Sequence, residues 1–282
     1  MFARKTLSLP HHIQLSYLEW NRGKEPLLLL HGLADNALVW SRLGDYLAED
    51  YHIIAPDLRG HGETSKPETA YGFKEIIGDL QALIEHLGWN STHILGHSWG
   101  GKLSCVWAMQ NPEQIRSLIL VDPIFIGSMP GWMKFTFPIL YRVLPFLQGM
   151  GPFPSYEEAE KQAKQLKQYR NWTQLQQQVF QAGIEEKPDG TWGSKFTVPA
   201  RDGIFEEVMN VSGLTHYLDL PSLFIKPEAG FNRTQIQLKP YKTYLTQLQV
   251  REIPGHHWVF LSNPEIFNRM VAEFLSKTST NI

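Results

Sequence analysis

The sequence has little cysteine, no long apolar run and almost no net charge, and each shortage excludes a class of protein. A single cysteine, Cys105, cannot form an internal disulfide, which excludes a disulfide scaffold. No apolar stretch reaches the length of a membrane-spanning helix, and the first residues lack the long apolar core of a secretory signal. The formal net charge of -2 gives no electrostatic reason to expect nucleic acid or an anionic membrane as a partner. We therefore expect a cytoplasmic protein, in which Cys105 is a buried small apolar residue rather than a nucleophile.

Short apolar runs alternate with segments of helical periodicity along most of the chain. The runs at 27–30, 53–56, 115–121 and 221–226 are typical of buried strands, and the segments 73–87 and 264–275 repeat their apolar residues at helical spacing. This alternation predicts a mostly parallel sheet covered by helices on both faces. In such sheets ligands bind beyond the C-terminal ends of the strands.

The alternation stops between about residues 124 and 209, where the chain becomes rich in aromatic residues and glutamine. A long insertion between two core strands is usually functional, so we predict a mainly helical cap over 124–210, with helix over 155–180. The core portions are then 1–123 and 211–282. The aromatic residues Trp132, Phe135 and Phe137 have two interpretations, packing of the cap on the core or the lining of a substrate pocket.

The run from His93 to Leu103 predicts a nucleophile elbow. An apolar strand enters a Gly-x-Ser-x-Gly pattern and leaves it through residues of helical character, which places Ser98 on a tight strand-to-helix turn. Gly96 and Gly100 carry no side chain, so strand and helix can approach closely there. Ser98 then lies at a helix N-terminus, whose partial positive charge favours a developing oxyanion.

A serine nucleophile needs a general base, and histidine has the appropriate pKa. Of the 11 histidines, we predict His257 as the base because it directly follows the last core strand, at the same edge as Ser98. We expect His97 to support the turn by hydrogen bonding and His31 to be structural. Two backbone N–H groups, those of Leu33 and Trp99, are predicted to bind the oxyanion.

These motifs together resemble the α/β-hydrolase superfamily, in a capped form. The stretches that carry the resemblance follow the family's order: His31-Gly32-Leu33, Asp57-Leu58-Arg59-Gly60-His61-Gly62, Gly96-His97-Ser98-Trp99-Gly100-Gly101, and His257. The resemblance implies the α/β-hydrolase fold, with the helical cap inserted after the strand that ends at Asp122, and it says little about the substrate. Dehalogenases and epoxide hydrolases of this superfamily use an aspartate nucleophile, so Ser98 argues against both activities.

The acid of the triad departs from the family's pattern. Many members carry it in a position that is Gly230 here. Members that resemble the animal serine-hydrolase-like group carry the acid one strand earlier, which is the position of Asp122. Glu228 is an alternative with a longer side chain, offset by about two residues from the usual position. We favour Asp122 because the end of a buried strand is a rigid support for an orienting group.

We therefore predict a cofactor-free and metal-free serine hydrolase of a small-molecule, largely apolar carboxylic ester, in class EC 3.1, that acts through an acyl-enzyme. One alternative is a hydrolase or lyase of carbon–carbon or thioester bonds that uses the same triad. Another is a ligand receptor that keeps the fold without turnover. The sequence does not reveal the oligomeric state.

Overall fold

The computed structural model describes residues 1–129 and 150–279, and its main element is an eight-stranded sheet. The strands in chain order are β1 (Ala3–Leu9), β2 (Ile13–Asn21), β3 (Glu25–Leu30), β4 (Tyr51–Pro56), β5 (Thr92–His97), β6 (Ile115–Val121), β7 (Ile184–Glu186), β8 (Trp192–Ser194), β9 (Leu218–Ala229) and β10 (Leu245–His256). The large sheet has the order β1-β2-β4-β3-β5-β6-β9-β10. The six strands from β4 to β10 in this order are parallel, and β1 and β2 form an antiparallel edge. The C-terminal ends of the parallel strands therefore lie along one edge of the sheet.

Helices cover both faces of this sheet. In chain order the described helices are α1 (Ser41–Leu47), α2 (Phe73–His86), α3 (Trp99–Gln110), α4 (Tyr156–Ala163), α5 (Gln174–Gly183), α6 (Val198–Asn210), α7 (Gln235–Tyr244), α8 (Val259–Ser262) and α9 (Pro264–Ser279). Of these, α4, α5 and α6 lie in the segment between β6 and β9. Short 3-10 helices span Pro10–His12, Ala37–Trp40, Pro112–Gln114 and Lys167–Tyr169. Within residues 1–129 and 150–279, no helix combines the length and the apolar character needed to cross a membrane.

The apolar residues form two cores, one on each face of the sheet. Successive side chains of a strand point to opposite faces, so Leu28 and Leu30 of β3 pack in one core, and Leu27 and Leu29 pack in the other. The first core also receives the apolar face of α2, and the second receives that of α9. The predicted parallel sheet with helices on both faces is confirmed.

Most elements predicted for the core are confirmed within a few residues. The helix predicted over 73–87 ends at His86, and the strand predicted over 115–121 has those bounds. The sequence pattern does not predict β1. Its side chains are exposed except near its end, so this edge strand carries no clear apolar alternation.

The segment between β6 and β9 departs further from its prediction. The stretch predicted to be helical over 155–180 holds two separate helices, α4 and α5, each with its own N-cap, Ser155 and Thr173. The small antiparallel sheet of β7 and β8 is not predicted. Trp132, Phe135 and Phe137 lie outside the described residues. Residues 124–210 are called the inserted segment below. Their formation of a separate cap domain stays a prediction.

Candidate active site

Ser98 lies in a strained turn between β5 and α3. Its backbone has φ 53° and ψ -114°, a conformation that costs about 1–3 kcal/mol for a residue with a side chain. Close packing of strand and helix imposes it: a Cβ atom at Gly96 would lie 2.4 Å from the Gly100 carbonyl oxygen, and one at Gly100 would lie 2.5 Å from the His31 carbonyl oxygen. The Ser98 N–H donates to the Val121 carbonyl oxygen at 3.0 Å, which ties the turn to β6. The two glycines therefore allow the turn that presents Ser98.

His257 follows β10 and pairs with Asp122, which follows β6. Nδ1 of His257 is 2.6 Å from Oδ2 of Asp122, and both residues are buried. Three further donors reach the Asp122 carboxylate, namely the Phe231 N–H at 2.7 Å, the Asn232 N–H at 3.0 Å and the Asn232 side-chain amide at 2.9 Å. Burial opposes ionisation of this carboxyl, but the hydrogen bonds from His257, Asn232 and Phe231 outweigh burial and hold the pKa of Asp122 below its ordinary value. Asp122 is thus an ionised, immobile partner for the His257 ring.

The two candidate acids, Asp122 and Glu228, lie in different surroundings. A Cβ atom at Gly230 would lie 2.5 Å from Oδ2 of Asp122, so the carboxylate of Asp122 occupies the space of a side chain at position 230. Glu228 is exposed on β9, and no hydrogen bond joins it to His257 in the described part of the chain. The geometry therefore pairs His257 with Asp122 and not with Glu228.

Ser98 and His257 line the same cavity, which measures about 460 Å³. In residues 1–129 and 150–279, no hydrogen bond joins their side chains; such bonds are often long before a substrate is bound. The cavity wall is mostly apolar and comes from the core loops and the inserted segment: Leu33, Pro123, Ile124, Phe125, Ile126, Phe205, Phe231, Ile236, Pro240 and Trp258. A largely apolar ligand fits this cavity.

The loop after β3 is held by His31. The His31 ring accepts a hydrogen bond from the Leu58 N–H at 3.0 Å through Nε2, so Nδ1 carries the proton and donates to the Gly32 carbonyl oxygen at 2.7 Å. In a trans peptide the N–H points opposite to the C=O, so this bond fixes the direction of the Leu33 N–H. The N–H groups of Leu33 and Trp99 meet no acceptor among the described residues. Both N–H groups are therefore available to hydrogen-bond a ligand.

His97 supports the loop of His257 rather than its own turn. Its Nε2 lies 3.1 Å from the His257 carbonyl oxygen, and the two rings are 4.4 Å apart. Burial, together with the neighbouring His257, holds the pKa of His97 well below its ordinary value, so the ring is neutral. The sequence analysis expects a hydrogen-bonding role for His97, but it does not predict this partner, which is distant in sequence.

Three residues that the sequence analysis does not single out contribute to this site. Asp35 accepts a hydrogen bond from the Trp258 indole at 3.1 Å, and Asn232 joins Asp122 to the Pro123 carbonyl oxygen. Lys102 lies fully buried on α3. These partners come from distant parts of the chain, so no local sequence pattern could have indicated them.

Lys102 joins the inserted segment to the helix of the elbow. Its ammonium group donates to the carbonyl oxygens of Gly127 at 2.8 Å and Val208 at 2.5 Å, which lie near the two ends of the inserted segment. Burial lowers the pKa of Lys102 to about 7. Burial also raises the pKa of Cys105, one turn further along α3, to about 12, so this thiol stays protonated at neutral pH.

Comparison with known proteins agrees with this architecture. The family model described as "alpha/beta hydrolase fold" matches residues 25–205. The chain is 25% identical over 280 residues to "Serine hydrolase-like protein 2" of Homo sapiens, a match that covers 90% of this chain and 87% of that protein. It is 36% identical over 116 residues to "Soluble epoxide hydrolase" of Corynebacterium sp. (strain C12), which covers 40% of this chain and 39% of that relative.

A solved structure is similar over nearly the whole chain. The crystal structure of E-2-(acetamidomethylene)succinate hydrolase superposes with a TM-score of 0.82 at 23% sequence identity and covers 98% of this chain and 100% of its own. At this identity the likeness describes the fold. The names of these relatives describe different activities, so only the site can indicate the reaction of this chain.

Proposed function

This chain belongs to the alpha/beta hydrolase fold family, and we propose that it is a serine hydrolase of a small or medium, largely apolar carboxylic ester. The observation that carries the proposal is one cavity with Ser98 on its wall beside His257, whose Nδ1 is 2.6 Å from a buried aspartate. Membership of this family supports hydrolase activity for the chain. The serine nucleophile, the ester and the acyl-enzyme are our proposal.

In the proposed reaction, the Ser98 hydroxyl attacks the ester carbonyl while Nε2 of His257 takes its proton. The tetrahedral intermediate collapses, the C–O bond to the alcohol breaks, and His257 returns the proton to the leaving oxygen. His257 then takes a proton from water as the water oxygen attacks the acyl-enzyme. The C–O bond to Ser98 breaks, and His257 returns the proton to the serine oxygen, which releases the acid and restores both residues. Because Nδ1–H of His257 donates to Asp122, Nε2 is the free basic nitrogen.

The Leu33 and Trp99 N–H groups are the proposed oxyanion donors. Trp99 is the first residue of α3, so its N–H lies at the positive end of that helix. The Leu33 N–H is oriented by the bond from His31 to the Gly32 carbonyl. Loss of one such donor typically costs 10²- to 10³-fold in kcat, so this pair would supply much of the acceleration.

Ser98 as the nucleophile favours ester hydrolysis over the reactions of some relatives. The epoxide hydrolases of this superfamily use an aspartate where this chain has Ser98. The apolar wall supports an apolar acyl or alcohol group, since burying each CH₂ contributes about 0.8 kcal/mol. The buried, unpaired Cys105 supports the cytoplasmic setting that we include in the proposal.

Hydrolysis of p-nitrophenyl esters with acyl chains of two to ten carbons tests the proposal. We expect a burst of p-nitrophenol equal to the enzyme concentration, and a kcat/KM that rises from acetyl to medium chains. The Ser98→Ala variant, which keeps the fold, should show neither. Cleavage of thioesters or carbon–carbon bonds without ester turnover would favour the alternative hydrolase or lyase, and ligand binding without any turnover would favour the receptor.

A further inference from the structure

Two buried polar side chains on the wall of the same cavity as Ser98, those of Asp35 and His97, each have an atom without a hydrogen-bond partner in the part of the chain that the structure describes. In the described residues, Oδ1 of Asp35 and Nδ1 of His97 are both buried and have no hydrogen bond. Nδ1 of His97 is 3.7 Å from Oδ2 of Asp35, and each side chain is 1% exposed. Such groups are costly to bury unless a hydrogen bond or a proton satisfies them.

One hydrogen bond fixes the proton of the His97 ring, and another occupies Oδ2 of Asp35, the carboxylate oxygen that lies 3.7 Å from that ring. The His257 carbonyl oxygen can only accept, so Nε2 of His97 donates to it, and Nδ1 of the neutral ring is an acceptor. The Trp258 indole N–H donates to Oδ2 of Asp35. An ionised Asp35 therefore presents a second acceptor to Nδ1 of His97, whereas a protonated Asp35 can donate to it.

The gap between them can close by a small movement. An approach of about 0.8 Å would bring 3.7 Å down to a normal hydrogen bond of about 2.9 Å. The residue beside the gap is Gly32, and a Cβ atom there would lie 2.7 Å from Nδ1 of His97 and 3.3 Å from Oδ2 of Asp35. The absence of that side chain leaves room for the contact.

Asp35 is the member of this group that titrates near neutral pH. Burial raises the pKa of Asp35 to about 7, against the hydrogen bond from Trp258, which lowers it. Among the described residues, two titratable groups interact with Asp35, namely His97 at 3.7 Å and Tyr169, and the His257 ring lies beside that of His97. His97 stays neutral, and burial raises the pKa of Tyr169 far above neutrality, so Tyr169 stays neutral too.

We propose that Asp35 is a positioning residue: when protonated it donates to Nδ1 of His97 and so fixes the loop that carries His257, and when ionised it releases that loop. The link runs from Asp35 through His97 to the His257 carbonyl, with Trp258 as a second tie between Asp35 and the same loop. An ionised Asp35 also opposes the oxyanion, because it lines the same cavity as Leu33 and Ser98. Both effects make the protonated form the active one. The inference rests on the proposed function, because it requires His257 to be the base.

The test is the rate at which a fluorophosphonate labels Ser98, measured between pH 5 and pH 9.5. For the unaltered protein we expect the labelling rate to fall above about pH 7. The fall should be roughly fivefold to tenfold, because one hydrogen bond is lost. In Asp35→Asn the side chain cannot ionise, so this position no longer titrates. The falling limb should therefore disappear. Asp35→Leu, which cannot make either bond, should be slow across the whole range.

Asp50→Asn, a change at an exposed aspartate before β4, is the control and should keep the falling limb. A falling limb that persists unchanged in Asp35→Asn, or that is absent from the unaltered protein, would overturn the inference. The second result needs no variant, so a folding defect cannot hide it. Absence of labelling at every pH would overturn the proposed function and the inference with it.

Discussion

Asp122, the proposed acid of the triad, follows β6 instead of lying at the position of Gly230, where many family members carry that acid. Four hydrogen bonds, from Phe231, Asn232 twice and His257, hold its carboxylate against the backbone at Gly230. The sequence indicates this residue through the resemblance and through its place at the end of a buried strand. It does not indicate Asn232, because that contact joins loops 110 residues apart.

Replacing Asp122 by asparagine should lower kcat by about 10⁴, with much less effect on KM, because the His257 ring loses the carboxylate that fixes its tautomer and stabilises its charged form. Steady-state kinetics on the best p-nitrophenyl ester measure this. Glu228→Gln is the matched control and should stay within about twofold of the unaltered enzyme, as exposed loop charges usually do. A crippled Glu228→Gln beside a normal Asp122→Asn would reverse the assignment of the acid.

At the scale of the elements, the strand-to-helix turn is the part that the sequence predicts best. The spacing of Gly96, Ser98 and Gly100 is a local pattern, and the strained φ of 53° at Ser98 is its direct consequence. The inserted segment is predicted worst. Its elements are short, and its attachment through Lys102 depends on carbonyl groups of Gly127 and Val208, which have no sequence signature.

Lys102→Met should loosen the wall of the cavity, because the carbonyls of Gly127 and Val208 lose the amine that ties them to α3. Ile124, Phe125 and Ile126 of this wall precede Gly127 directly. We expect the preference for medium acyl chains to weaken by about threefold to tenfold, mainly through KM, while kcat for the acetyl ester stays within about twofold.

The chain-length series of p-nitrophenyl esters, run on both proteins, measures this effect. Lys161→Met is the control, since its side chain is 72% exposed on α4 and makes only a surface pair with Glu158. A Lys102→Met profile that overlays that of the unaltered enzyme would mean that the buried lysine does not shape the cavity.

At the scale of the whole molecule, the ionisation of the buried Asp35 makes the free energy of unfolding depend on pH. The pKa of Asp35 rises from its ordinary 3.8 to about 7 on folding, so the folded protein holds a proton that the unfolded chain releases between about pH 4 and pH 7. The contribution of Asp35 to the free energy of unfolding is therefore fully present below pH 4 and is lost as the pH rises through 7.

Asp35→Asn removes this loss, since the amide does not ionise. The melting temperature of the variant relative to the unaltered protein should rise between pH 4 and pH 7, by about 5 °C, and stay constant above pH 8. Thermal unfolding followed by circular dichroism at four pH values measures the difference. A difference independent of pH would mean that Asp35 is ionised throughout this range.

The global arrangement follows from the sequence because parallel strands place their C-terminal ends together. The loops after β3, β5, β6 and β10 carry Leu33, Ser98, Asp122 and His257, so one topological rule brings four distant segments to one edge. The side-chain partners behind that edge, such as Asp35 with Trp258, depend on packing between loops and could not be predicted. The catalytic roles themselves stay predictions.

The most direct test of the account is the site of covalent labelling by a fluorophosphonate. We predict one adduct per chain, found by intact mass, and peptide mapping that locates it on Ser98. The adduct should be absent from Ser98→Ala, whose melting temperature should stay close to that of the unaltered protein. An adduct on another residue, or equal labelling of Ser98→Ala, would contradict the account.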